Sequence, residues 1–567
     1  MAEKLRSELQ QLSSVQLRNL LRTTGHGQLL QSEVYNKDKQ VAVSKVEEQF
    51  VLDAKNEGNA LFRRGFMNDA VSAYSRSLHV AICLKVDPSN AVCLSNRAAA
   101  YLELKQFDLA IIDCTKAIKE TPMIKPFMRR ATSYIAVQQF RQAVADLEAA
   151  LEFEPRNKEC HAKLQSIVDI ATDVRQRAGA STEFRKAAIQ AALIVSVREG
   201  WTKSAVRGNP GPAAVNGHTL FSGADGRIYL FGGRAVREQK PDLFVLDEND
   251  NSSWDIIPTR GTSAPSSRAW HSTSSIGHEN RELYCIYGGV SSRGEDSSVH
   301  LLEHDALRGY QWLQLRCLQD SSEIPAPRSG HATVSVVEST GNRAVFIFGG
   351  RTKRGVNDQL LVLRCSSLPA VADSSCVVDT TVVWSEICQE KSVEKHLNWP
   401  SARDGHSMCL LQRSECHSPR LILFGGNGQF NDERMNDVWT YDVEKQLWTL
   451  LHCFGDIPPP RSYHTAHTIG EFLFVVGGRI AESEDNTVYM LDIGTCEWFK
   501  VPVPNDHRLA PRAWHSSVLT DGGKLFVLGG GSYHGPLKDA ALLDLGYFQS
   551  KASLLFHRHD DKFVLDK

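Results

Sequence analysis

Asn96-Arg-Ala-Ala-Ala-Tyr101, with Ala110, Ala117 and Pro122 after it, returns one period later as Arg129-Arg-Ala-Thr-Ser-Tyr134, with Ala143, Ala150 and Pro155. A period of the size that separates Ala98 from Ala131, with small residues at fixed helical spacings and a closing Pro, signals stacked helical hairpins. Small residues let the two helices of a hairpin approach closely, and the Pro ends the second helix. An earlier copy carries Gly58, Ala70, Tyr74 and Pro88. Its Ala70 stands farther from Ala110 than Ala110 does from Ala143, so the link between the first and second copies is longer. Three repeats therefore organise residues 54–155.

What such a groove does depends on its lining. Lys55 and Asn59 are an i, i+4 pair on one helical face, as are Lys125 and Arg129. Asn96 and Arg129 occupy the same repeat position in successive copies. With the first helix of each copy lining the concave surface, these five side chains converge. Two amides and three cations, with no acid among the five, suit one carboxylate or two close together. A charge-assisted hydrogen bond contributes roughly 1.5–3 kcal/mol, so three or four hold a short peptide end.

Lys55-Asn-Glu-Gly-Asn59, Ser95-Asn96-Arg97-Ala-Ala-Ala-Tyr101 and Lys125-Pro-Phe-Met-Arg129-Arg130 resemble the dicarboxylate clamp of co-chaperone tetratricopeptide repeat (TPR) domains. The resemblance covers about a hundred residues. It departs at Cys114 and Leu147, where the family pattern usually has an aromatic. It implies that Lys55, Asn59, Asn96, Lys125 and Arg129 bind the C-terminal Glu-Glu-Val-Asp tail of the seventy- or ninety-kilodalton heat-shock chaperones, Hsp70 and Hsp90. Arg130 either assists or faces away.

Composition narrows the rest. A length of 567 residues suggests three or four domains, and 42% hydrophobic content suits a chain that buries cores. A net charge of −2 argues against a nucleic-acid or membrane-surface partner. No run of about 20 apolar residues exists, so no membrane span is expected. Met1-Ala-Glu-Lys-Leu-Arg6 lacks the apolar core of a secretion signal. The 13 Cys are scattered and never form C-x-x-C; they read as reduced, mostly buried thiols of a cytoplasmic protein. Cys409 and Cys416-His417 lack zinc spacing.

Outward from the repeats, residues 1–50 read as a helical extension, from Leu5, Leu9, Leu12, Leu17, Leu20 and Leu21. Residues 1–30 are either a separate binding motif or, preferably, a cap on the repeat. Residues 51–177 hold the three repeats and a capping helix with Cys160, Leu164, Ile167 and Val168. Residues 178–200 read as a helical linker.

From Glu199 the period changes. Apolar strands run into six double glycines: Gly232-Gly233, Gly288-Gly289, Gly349-Gly350, Gly425-Gly426, Gly477-Gly478 and Gly529-Gly530. Ahead of each lies a His: His218, His271, His331, His406, His464 or His515. The last five have an Arg three residues earlier: Arg268, Arg328, Arg403, Arg461 and Arg512. A Trp follows five of the pairs: Trp254, Trp312, Trp384, Trp448 and Trp498. Units of roughly fifty residues and four strands indicate a β-propeller. The double Gly, later Trp and Arg-x-x-His are similar to kelch repeats, which implies a six-bladed propeller over residues 201–548 and a tail over 549–567. Trp201 precedes His218 by the same interval as Trp254 precedes His271. Its strand is therefore expected to complete the blade begun by the C-terminal strands and to remove an open edge. Cutting after Gly200 should then spare the propeller, and cutting after Asn209 should not.

The fold class is thus multidomain, α plus all-β: a TPR solenoid followed by a six-bladed kelch propeller. One His per blade at equivalent places does not converge on one ion, so structural hydrogen bonding is expected and no metal. The Gly pairs follow strands without a G-K-[ST] helix start, so they are not phosphate loops. Some secreted kelch oxidases hold copper, and some plant kelch proteins act with iron. This chain lacks a secretion signal, has six units, and singles out no Asp/Glu/His cluster; Asp432-Glu433 and Glu482-Ser-Glu-Asp485 read as solvated loops. Loops Arg351–Arg354, Asn427–Arg434 and Ser532–His534 read as a binding face, and Cys365–Pro400 as an insertion. The expected function is a non-enzymatic, cofactor-free adaptor. The clamp would hold a chaperone tail and the propeller another protein. Alternatives are a substrate receptor of a ubiquitin ligase, for which no cullin-binding or F-box pattern is evident, and a kelch metalloenzyme.

Overall fold

The computed structural model describes residues 39–555 outside the segments 85–89, 178–181, 205–211, 213–214, 235–241, 247–252, 262, 277–281, 306–308, 314, 318–323, 339–342, 367–379, 388–398, 412–417, 431–432 and 533–534. Two units are distinguished, Met1–Ala192 and Leu193–Lys567. Most of the expected extension 1–50, the tail beyond 555 and much of 365–400 lie outside the described residues.

The first unit is a helical repeat. Its helices are α1 (Lys39–Arg63), α2 (Met67–Leu84), α3 (Asn90–Glu103), α4 (Phe107–Glu120), α5 (Ile124–Ala136), α6 (Phe140–Phe153), α7 (Lys158–Arg177) and α8 (Thr182–Ser196), whose last residues, from Leu193 to Ser196, belong to the second unit. Successive helices pair through the small residues: Ala98, Ala110, Ala117, Ala131, Ala143 and Ala150 are fully buried. The copies balance volume differently at one contact. Gly58 faces Tyr74 so closely that an added Cβ would lie 2.6 Å from its ring. At the equivalent positions Ala98 clusters with Cys114, and Ala131 and Leu147 are both fully buried. The larger partner, Ala in place of Gly, takes up part of the space, which explains why the smaller Cys114 and Leu147 replace the usual aromatic there.

The hairpins turn through left-handed residues at equivalent places: Gly65 (φ 85°), Lys105 (φ 58°) and Gln138 (φ 61°). Behind each, an N–H reaches back to close the helix: Phe66 to Leu61 at 3.0 Å, Gln106 to Tyr101 and Gln139 to Tyr134 at 2.8 Å. This is a Schellman-type cap, which favours Gly. Lys105→Gly and Gln138→Gly are each expected to stabilise the unit by about 0.5–1 kcal/mol, the left-handed cost less the entropy a Gly adds to the unfolded chain. Urea titration of the helical signal checks this, and a lowered midpoint would refute it.

Residues 178–200, expected as a helical linker, carry α8. Its Ala187, Ala188, Ile189, Ala191 and Ala192 are buried. Phe184 stacks on Phe140 at 4.1 Å, and Gln190 Nε2 donates to Glu148 at 2.8 Å. An Ala/Ile-rich face makes this segment a packed helix, and the boundary falls after Ala192.

The second unit is strand-rich and consistent with a propeller. Among the described residues, six sheets have four or five strands. The first runs Thr219–Ser222, Ile228–Phe231, Leu243–Leu246 and Trp254–Ile257, all antiparallel. In the last, Ser516–Leu519, Lys524–Leu528 and Ala540–Asp544 are joined by Trp201–Ser204, with Trp201 opposite Leu543. Within Cys365–Pro400, Thr380–Ile387 is a strand of the third sheet, between Leu360–Ser366 and the parallel edge strand Leu315–Cys317. The cores lie between neighbouring sheets. Leu230 and Trp254 of the first pack with Phe526 and Leu528 of the last. Tyr229 and Phe231 of the first pack with Tyr284 and Trp312 of the second.

Each second Gly donates its N–H into the next unit: Gly233 to Arg268, Gly289 to Arg328, Gly350 to Arg403, Gly426 to Arg461 and Gly478 to Arg512 carbonyls at 2.8–2.9 Å. Gly530 closes the cycle on Val215 at 2.8 Å. The approach requires Gly: a Cβ on Gly350 (φ 95°) would lie 2.9 Å from His331 Cβ. The C-terminal helix α9 (Gly546–Leu555) crosses the expected boundary at 548. Its Phe548 is buried against Phe472 and Phe474, and its N–H is capped by Ser196 Oγ at 2.8 Å.

Candidate functional site

The helical groove draws on α1, α3 and α5. Asn59 Oδ1 accepts from Asn96 Nδ2 at 3.0 Å and from the Tyr74 hydroxyl at 2.8 Å. Arg129 Nη1 donates to the Ser95 carbonyl and hydroxyl, both at 2.6 Å, and reaches Asn96 Oδ1 at 3.5 Å. Asn59, Asn96 and Arg129 thus form one connected row. Lys55 lies within electrostatic reach of Cys93, one turn before Asn96. Lys125 and Arg129 line a cavity of about 660 Å³, with Phe62, Leu102, Ile124 and Met128 among its apolar walls. Burial pulls the Arg129 guanidinium below its ordinary value, which a bound carboxylate would reverse. Among the described residues, Lys55 Nζ, Lys125 Nζ, Asn59 Nδ2 and Arg129 Nη2 make no hydrogen bond or ion pair.

Two features add to the sequence reading, which leaves Arg130 either assisting or facing away. Arg130 is committed elsewhere: it grips Asp146 with two bonds of 2.8 and 2.7 Å and bonds Thr115 at 2.9 Å. Arg97 does the same one repeat earlier, with two bonds of 2.7 Å to Asp113. The signal was the joint recurrence of Arg97 as Arg130 and of Asp113 as Asp146, both at the period of the repeat. Second, acids do border the groove: Glu103, Glu154 and Glu159 line the same cavity, and Glu159 pairs with Lys163 at 3.3 Å. Glu159 also acts electrostatically on Arg129, so cations and carboxylates share this cavity.

The second unit offers a different surface. All six His line one channel of about 240 Å³. Equivalent places bring them together around one cavity. His271, His331, His464 and His515 each hydrogen-bond through Nε2 to a hydroxyl of the preceding unit, Thr219, Ser272, Ser407 and Thr465, at 2.9–3.0 Å. Ala332 replaces that hydroxyl for His406, and Ser516 instead accepts the Leu220 N–H at 2.8 Å. Among the described residues no group of three or more His, Cys, Asp or Glu could hold a metal.

The residues just before these His form a closed belt. Trp270 donates to Gly217, Gly330 to Trp270, Gly405 to Gly330, Tyr463 to Gly405, Trp514 to Tyr463 and Gly217 to Trp514, at 2.6–3.0 Å. All six have positive φ, including Trp270, Tyr463 and Trp514 at 54–56°. Bulky residues rarely adopt this conformation, and the belt of six bonds imposes it. Three aromatic rings therefore stand beside the channel. Arg351 Nε donates to Asp404 at 2.8 Å, Tyr463 donates to the same carboxylate at 3.2 Å, and Arg479 lies 5.8 Å over the Trp514 ring. Of the loops read as a binding face, Arg351–Thr352 and Gly355–Val356 form a small hairpin, Phe430 is 70% exposed, and residues 533–534 lie outside the described residues.

Among the described residues no helix is long and apolar enough to cross a membrane. The chain is similar to adagio-like protein 1 of Oryza sativa subsp. japonica, 28% identical over 58% of this chain and 49% of that protein. It is similar to acyl-CoA-binding domain-containing protein 4 of Arabidopsis thaliana, 26% identical over 59% of this chain and 45% of that protein. With kelch domain-containing protein 1 of Homo sapiens it shares 26% identity over 43% of this chain and 59% of that protein. The chain spans about half the length of the curated relatives it matches. The KLHDC2/KLHL20/DRC7 Kelch-repeats domain matches residues 187–368 and 342–550, more than half of the chain, and the chain belongs to this kelch-repeat family.

Proposed function

We propose that the chain is a non-enzymatic cytoplasmic adaptor built from a TPR clamp and a closed six-bladed kelch propeller. The clamp binds the Glu-Glu-Val-Asp tail of Hsp70 or Hsp90, and the propeller holds a client or assembly partner. The observation that carries the clamp is the connected row Asn59–Asn96–Arg129, flanked by Lys55 and Lys125, whose ammonium groups have no ion pair among the described residues. Donors held in place before binding lower the ordering cost of a flexible tail. Arg129 and Lys125 take the terminal and side-chain carboxylates. The apolar wall from Ile124 and Met128 takes the valine. For the propeller, the supporting features are the kelch family, a group of protein-interaction scaffolds, and the aromatic mouth at Trp270, Tyr463 and Trp514.

A labelled peptide ending in Glu-Glu-Val-Asp is expected to bind the purified chain, and amidation of its terminal carboxylate to weaken binding at least tenfold. Lys125→Glu, at an exposed position, is expected to weaken it roughly 10- to 150-fold, the equivalent of one charge-assisted bond at about 1.5–3 kcal/mol. Equal binding of free and amidated peptides, with the helical unit folded, would remove the clamp reading. The propeller would then be the starting point for a new assignment.

A further inference from the structure

Seven described cysteines carry free thiols, and two of them, Cys453 and Cys496, stand side by side at the edge of the fifth sheet. The short strand Phe454–Gly455 runs parallel to Glu497–Lys500, with Phe454 opposite Glu497 and Gly455 opposite Trp498. Each Cys immediately precedes this register, so the two occupy facing positions on neighbouring strands. The Phe454 N–H donates to the Cys496 carbonyl at 3.0 Å, which fixes the approach. Neighbouring strands lie about 5 Å apart, within the roughly 4.4–6.8 Å between Cα atoms that a disulfide spans. The Cys453 thiol donates to the Leu451 carbonyl at 3.8 Å and the Cys496 thiol to the Ile493 carbonyl at 3.7 Å, so neither is locked against the other's approach.

The arrangement is particular to this unit. In the second sheet Thr259–Arg260 pairs in parallel with Tyr310 and Gln311, and the preceding residues are Pro258 and Gly309. Cys496 takes the left-handed conformation there (φ 58°), as Gly309 does (φ 74°). Access separates the pair from four of the other described thiols: Cys93, Cys114, Cys160 and Cys285 are buried, whereas Cys453 and Cys496, like Cys409, are half-buried; Cys409 has no facing thiol among the described residues and bonds the Ala466 carbonyl at 3.3 Å.

We propose that Cys453 and Cys496 are a redox modification site that closes to a disulfide when the protein meets a peroxide. The neighbouring Cys453 thiol holds Cys496 below its ordinary value against the opposing effect of burial, while Cys453 itself is pushed up, so Cys496 attacks first. Its sulfur takes one peroxide oxygen, the O–O bond breaks, and the leaving oxygen departs as water with the thiol proton, leaving a sulfenic acid. The Cys453 sulfur then attacks the Cys496 sulfur. The S–S bond forms, the S–O bond breaks, and the hydroxyl leaves as water with the Cys453 proton. Two thiols are oxidised and one peroxide is reduced to two waters. A dithiol reductant reverses the product. The closed disulfide ties the crossing segment, on which Phe454 and Ile457 stand exposed, to the outer strand of the fifth sheet.

The test uses the full chain treated with hydrogen peroxide, blocked with a maleimide, proteolysed and read by mass spectrometry. A peptide pair joined between Cys453 and Cys496, absent after dithiothreitol, is expected. In Cys453→Ser the Cys496 sulfenic acid loses its resolving partner, and its capture by a dimedone reagent should rise at least tenfold. Full maleimide labelling of both thiols after peroxide treatment of the folded chain would overturn the proposal. So would joining of either thiol only to other cysteines.

Discussion

The kelch unit is expected to lose its stability between pH 6.5 and about 4.5, with the loss beginning about two pH units above the ordinary carboxylate range. The cause is the ring of His. Burial holds His218, His331 and His464 down to about 3 and His467 to about 4. It also holds His271, His406 and His515 well below the ordinary value, with Arg268, Arg403 and Arg512 respectively adding to the effect. A group with a depressed folded value contributes stability that is fully present above its unfolded pKa, near 6.5, and is lost as pH falls towards the folded value. Below pH 6.5 the unfolded chain takes up protons that the folded one refuses, at about 1.4 kcal/mol per His per pH unit. At pH 5 that is roughly 2 kcal/mol each, and seven together exceed about 10 kcal/mol, comparable with the whole stability of an ordinary domain. Urea midpoints followed by Trp fluorescence from pH 7.5 to 4.5 should fall steeply. His218→Phe, which removes an imidazole with no hydrogen-bond partner, should reduce the slope by about one proton. A midpoint flat from pH 7 to 5 would refute the account.

The same His mark how far the sequence could be read. Periodicity is a local property, so Ala98 and Ala131, the double glycines and the interval from Trp201 to His218 were visible in the chain. They point to stacked helices, to strands ending in close backbone contacts, and to Trp201–Ser204 beside Ala540–Asp544. What could not be read is what a repeat position meets in the neighbouring copy. Six His in equivalent places are compatible with six separate hydrogen bonds or with one shared channel, and only closure of the backbone cycle decides it. Trp270, Tyr463 and Trp514 were hidden for the same reason. Their positions hold Gly217, Gly330 and Gly405 in the other units, and that a Gly position here means positive φ emerges only with the belt. In the groove, spacing put Asn59, Asn96 and Arg129 on one face. It could not show that Arg129 leans on Ser95, or that α7 brings Glu159 to the same cavity.

Arg403→Met is expected to destabilise the kelch unit by about 3–5 kcal/mol, the cost of leaving one side of a buried ion pair without the other. Arg403 is fully buried. It uses its five N–H donors on the Ser401 carbonyl and hydroxyl (both 2.9 Å), the Gly425 carbonyl (2.9 Å) and both Asp437 oxygens (2.7 and 2.8 Å). Burial alone would raise the Asp437 carboxyl, but the bonds from Arg403 and Trp439 hold it below its ordinary value. Removing the guanidinium therefore strands a carboxylate and the carbonyl of the first Gly of the fourth pair. Asp437 keeps some contact with solvent, which places the loss nearer the lower figure. Asp437→Asn should be milder, about 1–2 kcal/mol, because the third unit already carries the neutral arrangement. There Arg328, equally buried, bonds Gly349 at 3.0 Å, Asn357 at 3.2 Å and Gln359 at 2.7 Å, with amides where its neighbours have carboxylates. The combination Arg403→Met with Asp437→Leu should recover part of the loss, since no charge is then left alone. Guanidinium titration of the three variants ranks them. An Arg403→Met loss below about 1 kcal/mol, or a double variant worse than the single, would show that the arginines of the Arg-x-x-His repeats contribute through their stems rather than through their charge.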